Sequence, residues 1–307
     1  MSIQTKIAEG GNSGETTAPR TEWGIDLKIA TKVLEVVDAG LVSGVGKPIP
    51  GQMCVEAAVC YALDLPHGDD PECVSRALRS LKIKLNDSSW SSNAARTKGL
   101  RRLALIQLGS RNHLDDKEFA KRVTELAIRK QVPIALRTTA SINKQPLHKQ
   151  ALLDAANKCE IEGSRQSAFD AREVAREARR AAYAAADAAA YAYASTYADA
   201  ATYAAAYAAA DAAEVAAADA AADADADAAA YAAAAADVAA AAAADVAAAA
   251  AAAATTYADA ATYAAAAADA DAARDKILSD FAEDVVQILI DMKVPGVQWL
   301  PLTEVQP

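Results

Sequence analysis

The sequence predicts an all-α protein, and three observations lead to this fold class. Apolar residues recur at helical spacing through residues 23–165, where no convincing alternating strand is found. Alanine makes up 62 of the 93 residues from 181 to 273, and alanine is the best helix former of all residues. Neither glycine nor proline, which are the strongest local breakers, occurs from Ser164 to Val294.

Composition divides the chain into four parts. A leader rich in Gly, Ser and Thr occupies residues 1–22. Because it lacks the apolar core of a secretory signal, we expect it to be disordered and the protein to be cytoplasmic. The remaining parts are a helical globular domain over residues 23–165, an alanine-, tyrosine- and aspartate-rich helical repeat tract over 166–273, and an amphipathic C-terminal helix with a tail over 274–307.

The first two helices of the globular domain follow from the spacing of their apolar residues. Ile25 to Val37 place apolar side chains on one helical face and predict a helix that stops at Gly40. Gln52 to Leu65 is apolar on most sides, which predicts a central helix buried by its neighbours, and Pro66 ends it.

The later helices are marked by residues that favour helix starts and stops. Asp70 suits an N-cap and Pro71 the first helical position, so a third helix is expected to run to about Leu85. Two more helices are expected over residues 92–108, ending at Gly109, and from Asp115 or Asp116 to Lys130.

The end of the chain carries one further amphipathic helix. Apolar residues at helical spacing from Ile277 to Met292 predict it, and Pro295 and Gly296 close it. Its apolar face needs a partner, and the sequence leaves two alternatives open. The helix docks onto the globular domain, which requires the tract to double back, or it associates with a second copy of the chain.

Tyrosine and aspartate mark the tract regularly. All 9 tyrosines and 12 aspartates from 181 to 273 occupy odd-numbered positions, most of them separated by multiples of four residues. A period of two is also typical of a strand, but alanine and aspartate are both depleted in strands, so helix is favoured. A four-residue step drifts about 40° per repeat around a helix, which excludes a heptad coiled coil. We therefore expect a long helix or hairpin, or several antiparallel helices with packed alanine faces.

The distribution of charge limits the partners of the tract. The whole chain has a net charge of −10, and residues 181–273 contain 12 Asp and Glu214 but no Lys or Arg, so the tract carries −13 and the remainder +3. Repulsion from phosphates argues against nucleic acid as a partner. The longest charge-free window of the tract, Val246 to Ala258, has 13 residues, fewer than the ~20 that cross a bilayer, so no membrane segment is expected.

The densest set of reactive side chains lies between Cys54 and Cys73. Cys54 stands near a predicted helix start, where the helix dipole lowers a thiol pKa, and His67 could act as its base with Asp69 or Asp70 orienting the ring. In this interpretation the region is the site of a thiol-dependent enzyme. In the interpretation that we favour, Cys54 and Cys60 are small buried hydrophobes of a core helix, Glu56 pairs with an arginine and His67 caps a turn.

A zinc site is the third interpretation of this region, since Cys54, Cys60, His67 and Cys73 supply four ligands of suitable type. The spacing is poor, because residues six apart on a helix point about 120° from each other. All four cysteines of the chain are expected to be reduced thiols, and no cofactor is predicted.

A basic cluster lies in the second half of the globular domain. We interpret it as a solvated helix face, although it could also meet an acidic partner, nucleic acid or the protein's own acidic tract. Its members are Lys82, Lys84, Arg96, Lys98, Arg101 and Arg102.

Residues 50–140 carry a recognisable series of short motifs: an MC-x-E-A start at Met53, a His-x-Asp-x-Pro-x-Cys turn from His67 to Cys73, and an LND segment at Leu85. In these motifs the chain resembles a scattered group of bacterial and phage-borne proteins of unassigned function. The resemblance implies a helical module followed by a low-complexity, alanine-rich tail. It carries over no catalytic role.

These features predict a non-enzymatic structural or interaction protein in which the acidic helical tract acts as a spacer or a contact surface. The partner is another protein or a second copy, bound through the C-terminal helix and the tract. A second alternative is a helical ice-binding protein, in which threonines repeat every eleven residues on an alanine face. The five threonines of the tract, among them Thr196 and Thr262, do not follow that spacing.

Overall fold

The structure, a computed structural model, describes residues 23–191 and 260–304. The predicted leader and residues 192–259 of the tract lie outside the described residues. Within the two described ranges the fold is all-α, as the sequence predicts, and the only extended pairings are isolated bridges from Met53 to Leu41 and Gly46. Nine α-helices occur in these ranges: α1 Leu27–Asp38, α2 Val55–Ala62, α3 Arg76–Asn86, α4 Asn93–Ile106, α5 Asp116–Leu126, α6 Val132–Ile142, α7 Pro146–Glu162, α8 Arg165–Tyr191 and α9 Ala260–Asp291.

Several helices begin at residues that cap their first turn, and among them Asp115 confirms a predicted cap. Asp26 begins α1 by accepting a hydrogen bond from the backbone N–H of Ile29 at 2.9 Å, and Ser92 and Asp115 cap α4 and α5 in the same manner. Gly40 follows α1 with a φ of +124°, a conformation that glycine adopts without strain and that confirms the predicted stop.

The predicted start of the third helix at Asp70 and Pro71 is wrong. Helix α3 begins at Arg76, after Ser75, whose hydroxyl accepts from the N–H of Leu78 at 3.3 Å. Tertiary contacts fix this start, because the same hydroxyl donates to Asp116 at 2.6 Å. Asp70 instead forms an ion pair with Arg79 at 3.0 Å.

The predicted helix end at Lys130 is also wrong. A π-helical turn, Ala127–Gln131, joins α5 to α6, so the helix continues to Ile142. Pro133 lies in the first turn of α6, where the wider π-turn before it accommodates a ring that lacks an N–H. Pro133 therefore lies inside a continuous helical segment, although proline usually ends a helix.

The described residues form two apolar cores. The larger core collects the buried faces of α1–α5 with α9 and a C-terminal 3₁₀-helix, Pro295–Thr303. The smaller core lies between the π-turn, α6, α7 and α8. Ile277 of α9 packs against both, so the two cores share one folded body.

The C-terminal helix docks onto the globular domain. The apolar face of α9 packs on α4 and α5 in the larger core, where Leu278, Phe281 and Val285 are completely buried. Gly99 of α4 leaves room at this contact, because an added Cβ would lie 2.2 Å from the ring of Trp90 and 3.1 Å from Ser279 Oγ of α9. Of the two sequence-based alternatives, the structure thus contains the docked helix, and the apolar face is used within the chain.

Candidate functional site

Cys54 is a buried N-cap residue. It precedes α2, and its Sγ accepts a hydrogen bond from the N–H of Ala57 at 3.3 Å. Burial raises the pKa of the Cys54 thiol and outweighs the lowering effect of that N–H, while the charge of Glu56 raises the pKa further. The thiolate expected from the helix start is therefore disfavoured, because loss of solvent outweighs the dipole.

His67 and Asp69 are engaged away from Cys54. The Nε2 atom of His67, an exposed residue, lies 3.1 Å from the carbonyl oxygen of Gly46. Arg79 donates to the backbone carbonyl of Asp69 at 2.7 Å and to its carboxylate at 3.3 Å. In the described part of the chain no hydrogen bond joins Cys54, His67 and Asp69, so the predicted base and orienting carboxylate are not assembled around the thiol.

The residues considered as zinc ligands are divided between the core and the surface. Cys54, Cys60 and Cys73 are buried free thiols, whereas His67 is exposed. Burial raises the pKa of Cys60 to about 12 and that of Cys73 to about 11, which opposes the thiolate form that zinc requires. Residues 23–191 and 260–304 contain no group of three or more His, Cys, Asp or Glu side chains that could hold a metal ion.

These thiol environments predict slow alkylation. At pH 7.5 all four cysteines of the native protein should react with iodoacetamide far more slowly than in urea, because each is buried and holds its proton. His67→Ala should leave the rate at Cys54 unchanged. Peptide mapping after timed labelling measures each rate, and a fast, His67-dependent reaction at Cys54 would revive the thiol-enzyme interpretation.

A fully buried ion pair lies close to these thiols. Lys82 Nζ of α3 is 2.7 Å from Glu56 Oε1 of α2, and both side chains have no exposed surface. Burial raises the pKa of Glu56 and lowers the pKa of Lys82, and each residue's charge partly restores the other. Among the described residues neither side chain has a hydrogen-bond partner apart from the other member of the pair. The free-energy cost of burying each charge is therefore offset by the opposite charge.

The sequence-based interpretation missed this pair. Glu56 was expected to pair with an arginine, and Lys82 was placed on a solvated basic face. The spacing of α3 contains the missing signal, because Lys82 is four residues after Leu78 and three before Leu85, both fully buried. A helical residue at these intervals shares their face, so a lysine there predicts a buried acidic partner.

Most of the remaining basic cluster is also used within the chain, which corrects its interpretation as a solvated face. Arg96 is buried and donates to the carbonyl of Asn86 at 2.7 Å. Arg101 forms a two-pronged pair with Asp38 at 2.6 and 3.0 Å, and Arg102 pairs with Glu283 of α9. Lys84 and Lys98 are the members with exposed side chains.

Helix α8 anchors the N-terminal side of the repeat tract. It buries a stripe of alanines against α7 and the π-turn, and each has no exposed surface. The stripe consists of Ala168, Ala171, Ala175 and Ala178. On the same helix, Arg165 and Arg172 lie 5.2 and 4.7 Å from the ring of Phe169. The first residues of the tract therefore lie in a helix whose alanine methyl groups pack in the smaller core.

Helix α9 anchors the C-terminal side of the tract. Besides its apolar face, three acidic side chains tie it to the domain. Asp275 accepts from the N–H of Ser91 at 2.9 Å, and Asp284 pairs with Lys130 at 2.7 Å. Glu283, which pairs with Arg102, is the third. Apolar packing and polar contacts therefore fix α9 over several turns.

Comparisons with protein-family models, with curated proteins and with solved structures found no match for this chain. The resemblance carried by residues 50–140 therefore stays a prediction. In the part of the chain that the structure describes, no helix has both the length and the apolar character that a bilayer crossing demands.

Proposed function

We propose that this chain is a non-enzymatic structural and interaction protein whose acidic alanine-rich tract serves as the spacer or contact surface. One observation carries the proposal: α8, which leads into the tract, and α9, which leads out of it, are both packed into the same folded body. The tract is therefore connected to the folded domain at both of its ends, as an insertion is, and not at one end, as a tail is. Binding along it is therefore transmitted to the domain through two anchored helices.

The alanine stripe of α8 supports the kind of contact that the tract makes. In α8, Ala168, Ala171, Ala175 and Ala178 are buried in a core that also contains larger Ile, Val and Leu side chains. Small side chains let two helix axes approach closely and gain many weak contacts at little cost in side-chain entropy. By analogy, we expect the partner of the tract to offer an apolar helix face, in a second copy of the chain or in another protein.

The tyrosines provide sparse stronger anchors in this proposal. Nine of the ten tyrosines lie between 181 and 273, where each adds a large apolar ring with a polar tip to a surface of methyl groups. The aspartates keep that surface soluble and repel nucleic acid. A cytoplasmic location and the absence of a cofactor belong to the same proposal.

The two alternatives have less support. A thiol enzyme needs an ionised Cys54, whereas burial raises the pKa of that thiol and His67 lies at the surface. The ice-binding alternative rests on residues that are mostly outside the described ranges, and its threonine spacing is irregular. Measurable thermal hysteresis of the purified protein would favour it over the interaction proposal.

Photo-induced tyrosine cross-linking tests the proposal directly. If the tract binds a second copy, irradiation of the full chain with a ruthenium sensitiser should produce covalent dimers that increase with protein concentration. Tyr61 is the one tyrosine outside residues 181–273, so Tyr61→Phe should leave the dimer yield unchanged. A variant in which a short Gly-Ser linker replaces residues 192–259 should lose the dimer while keeping the unfolding midpoint of the domain.

Two results would contradict the proposal in this form. Dimer formation that persists after replacement of residues 192–259 would place the contact outside that segment, on the folded domain or beside the remaining Tyr183, Tyr191 and Tyr263. Strictly monomeric behaviour of the full chain in sedimentation up to millimolar concentration would exclude self-association and leave only a different protein as the partner.

A further inference from the structure

A cleft opens on the folded domain, and none of the buried thiols lines it. It lies between the end of α1, the loop that follows it, the first half of α4 and the end of the 3₁₀-helix, and its volume is about 660 Å³. Clefts that hold small ligands usually measure ~300–1,000 Å³. The volume is therefore sufficient for a small organic ligand. The residues that line the cleft determine which chemical class of ligand fits.

The charges of the lining leave one cation without a counter-ion. Asp38 and Arg101 neutralise each other through their two-pronged contact, and Arg101 also donates to the carbonyl of Thr303. Lys98, which is exposed, has no ion-pair partner within residues 23–191 and 260–304. The lining therefore carries a net charge of +1 at neutral pH, which suits a ligand with a single negative charge.

The polar groups near Lys98 are held in place by other contacts. The Thr97 hydroxyl accepts from the N–H of Leu41 at 2.8 Å and donates to the carbonyl of Asn93 at 2.8 Å. The amide oxygen of Asn93 accepts from Arg96, so the NH₂ group remains as its donor. Lys98 and Asn93 thus both offer N–H donors at the cleft, as binding of an anion requires.

The remaining walls have almost no side chains. Ala39, Gly40, Gly51 and Ala94 line the cleft, and a Cβ added at Gly40 would lie 3.6 Å from the Cα of Gly51. Their methyl groups and backbone form an uncharged surface, and the absence of larger side chains leaves space next to it. Such a surface accommodates the apolar body of a ligand whose charged group reaches Lys98.

We propose that this cleft binds a small organic monocarboxylate, with the carboxylate on Lys98 and Asn93 and the apolar body against Gly40, Gly51 and Ala94. The site goes beyond the proposed interaction function and does not depend on it, since none of the tract residues that the structure describes lines the cleft. The cleft recognises two features of the ligand, a single negative charge and a compact apolar group.

Titration of the full chain with phenylacetate, followed by ¹⁵N-resolved NMR, tests the site. Amide signals of Gly40, Gly51 and Ala94 should shift in a saturable manner, and phenylacetamide, the neutral isostere, should shift them much less. Lys98→Gln should weaken phenylacetate binding about fivefold, as expected for loss of one exposed charge contact. Lys84→Gln, which removes an exposed lysine outside the cleft, should leave the affinity unchanged.

Lys98 is exposed on the first half of α4, so both lysine variants should fold, and their amide spectra report this directly. The proposal is overturned if phenylacetate shifts no amide of the cleft, if phenylacetamide binds equally well, or if Lys98→Gln and Lys84→Gln weaken binding to the same extent.

Discussion

Glu56→Gln is expected to lower the free energy of unfolding by about 3–5 kcal/mol, the usual cost of removing one member of a buried ion pair. Glu56 and Lys82 have no exposed surface and lie 2.7 Å apart. The substitution leaves the Lys82 ammonium in the core without a counter-charge, so the lysine must lose its proton or the core must open. Urea denaturation at pH 7, followed by circular dichroism, measures the change.

Two further variants give this prediction its controls. A double variant, Glu56→Leu with Lys82→Met, replaces both charges by apolar groups of similar size and should be at least as stable as the natural protein. Asp64→Asn removes the exposed pair with Lys32 and should cost less than about 1 kcal/mol. If Glu56→Gln costs no more than Asp64→Asn, the pair is not buried as the structure places it.

The helices that the sequence predicted well are those whose signals are local. Asp26, Ser92 and Asp115 cap helices through hydrogen bonds to residues two or three positions further on, and Gly40 ends a helix through its own φ. Such signals are complete within a few residues of sequence. The all-α class follows from them together with the alanine content.

The elements that the sequence predicts wrongly or leaves open depend on distant residues. Ser75 begins α3 because its hydroxyl reaches Asp116, 41 residues away, and no local pattern distinguishes it from Asp70. The docking of α9 joins parts of the chain separated by the whole tract. Periodicity revealed that this helix had an apolar face, but the face does not specify which surface covers it.

The candidate site shows the same division between local and long-range information. The sequence placed Cys54 near a helix start, and the structure makes it the N-cap of α2. Its pKa, however, is determined by how completely the rest of the fold removes water from the thiol, and burial is a property of the packed chain. The cleft beside Lys98 was not foreseen at all, because its lining comes from four separate segments.

Phe281→Ala is expected to lower the free energy of unfolding by about 3–5 kcal/mol, as is usual when a fully buried phenylalanine is truncated. Phe281 has no exposed surface and lies in the larger core between α9 and the domain. The cavity left behind removes apolar contacts on both sides and weakens the docking of α9. Urea denaturation of the full chain measures the loss.

Gln287→Ala is the matched control, because Gln287 is exposed on the same helix and bonds only to Asp291, one turn away, at 2.9 Å. It should change stability by no more than about 0.5 kcal/mol. Since α9 holds the C-terminal side of the tract, Phe281→Ala should also reduce the yield of tyrosine cross-linked dimers if anchoring at both ends matters for association. Equal effects of the two variants on stability would mean that α9 is not part of the core, and the tract would then be held at one end only, which removes the main support for the proposed function.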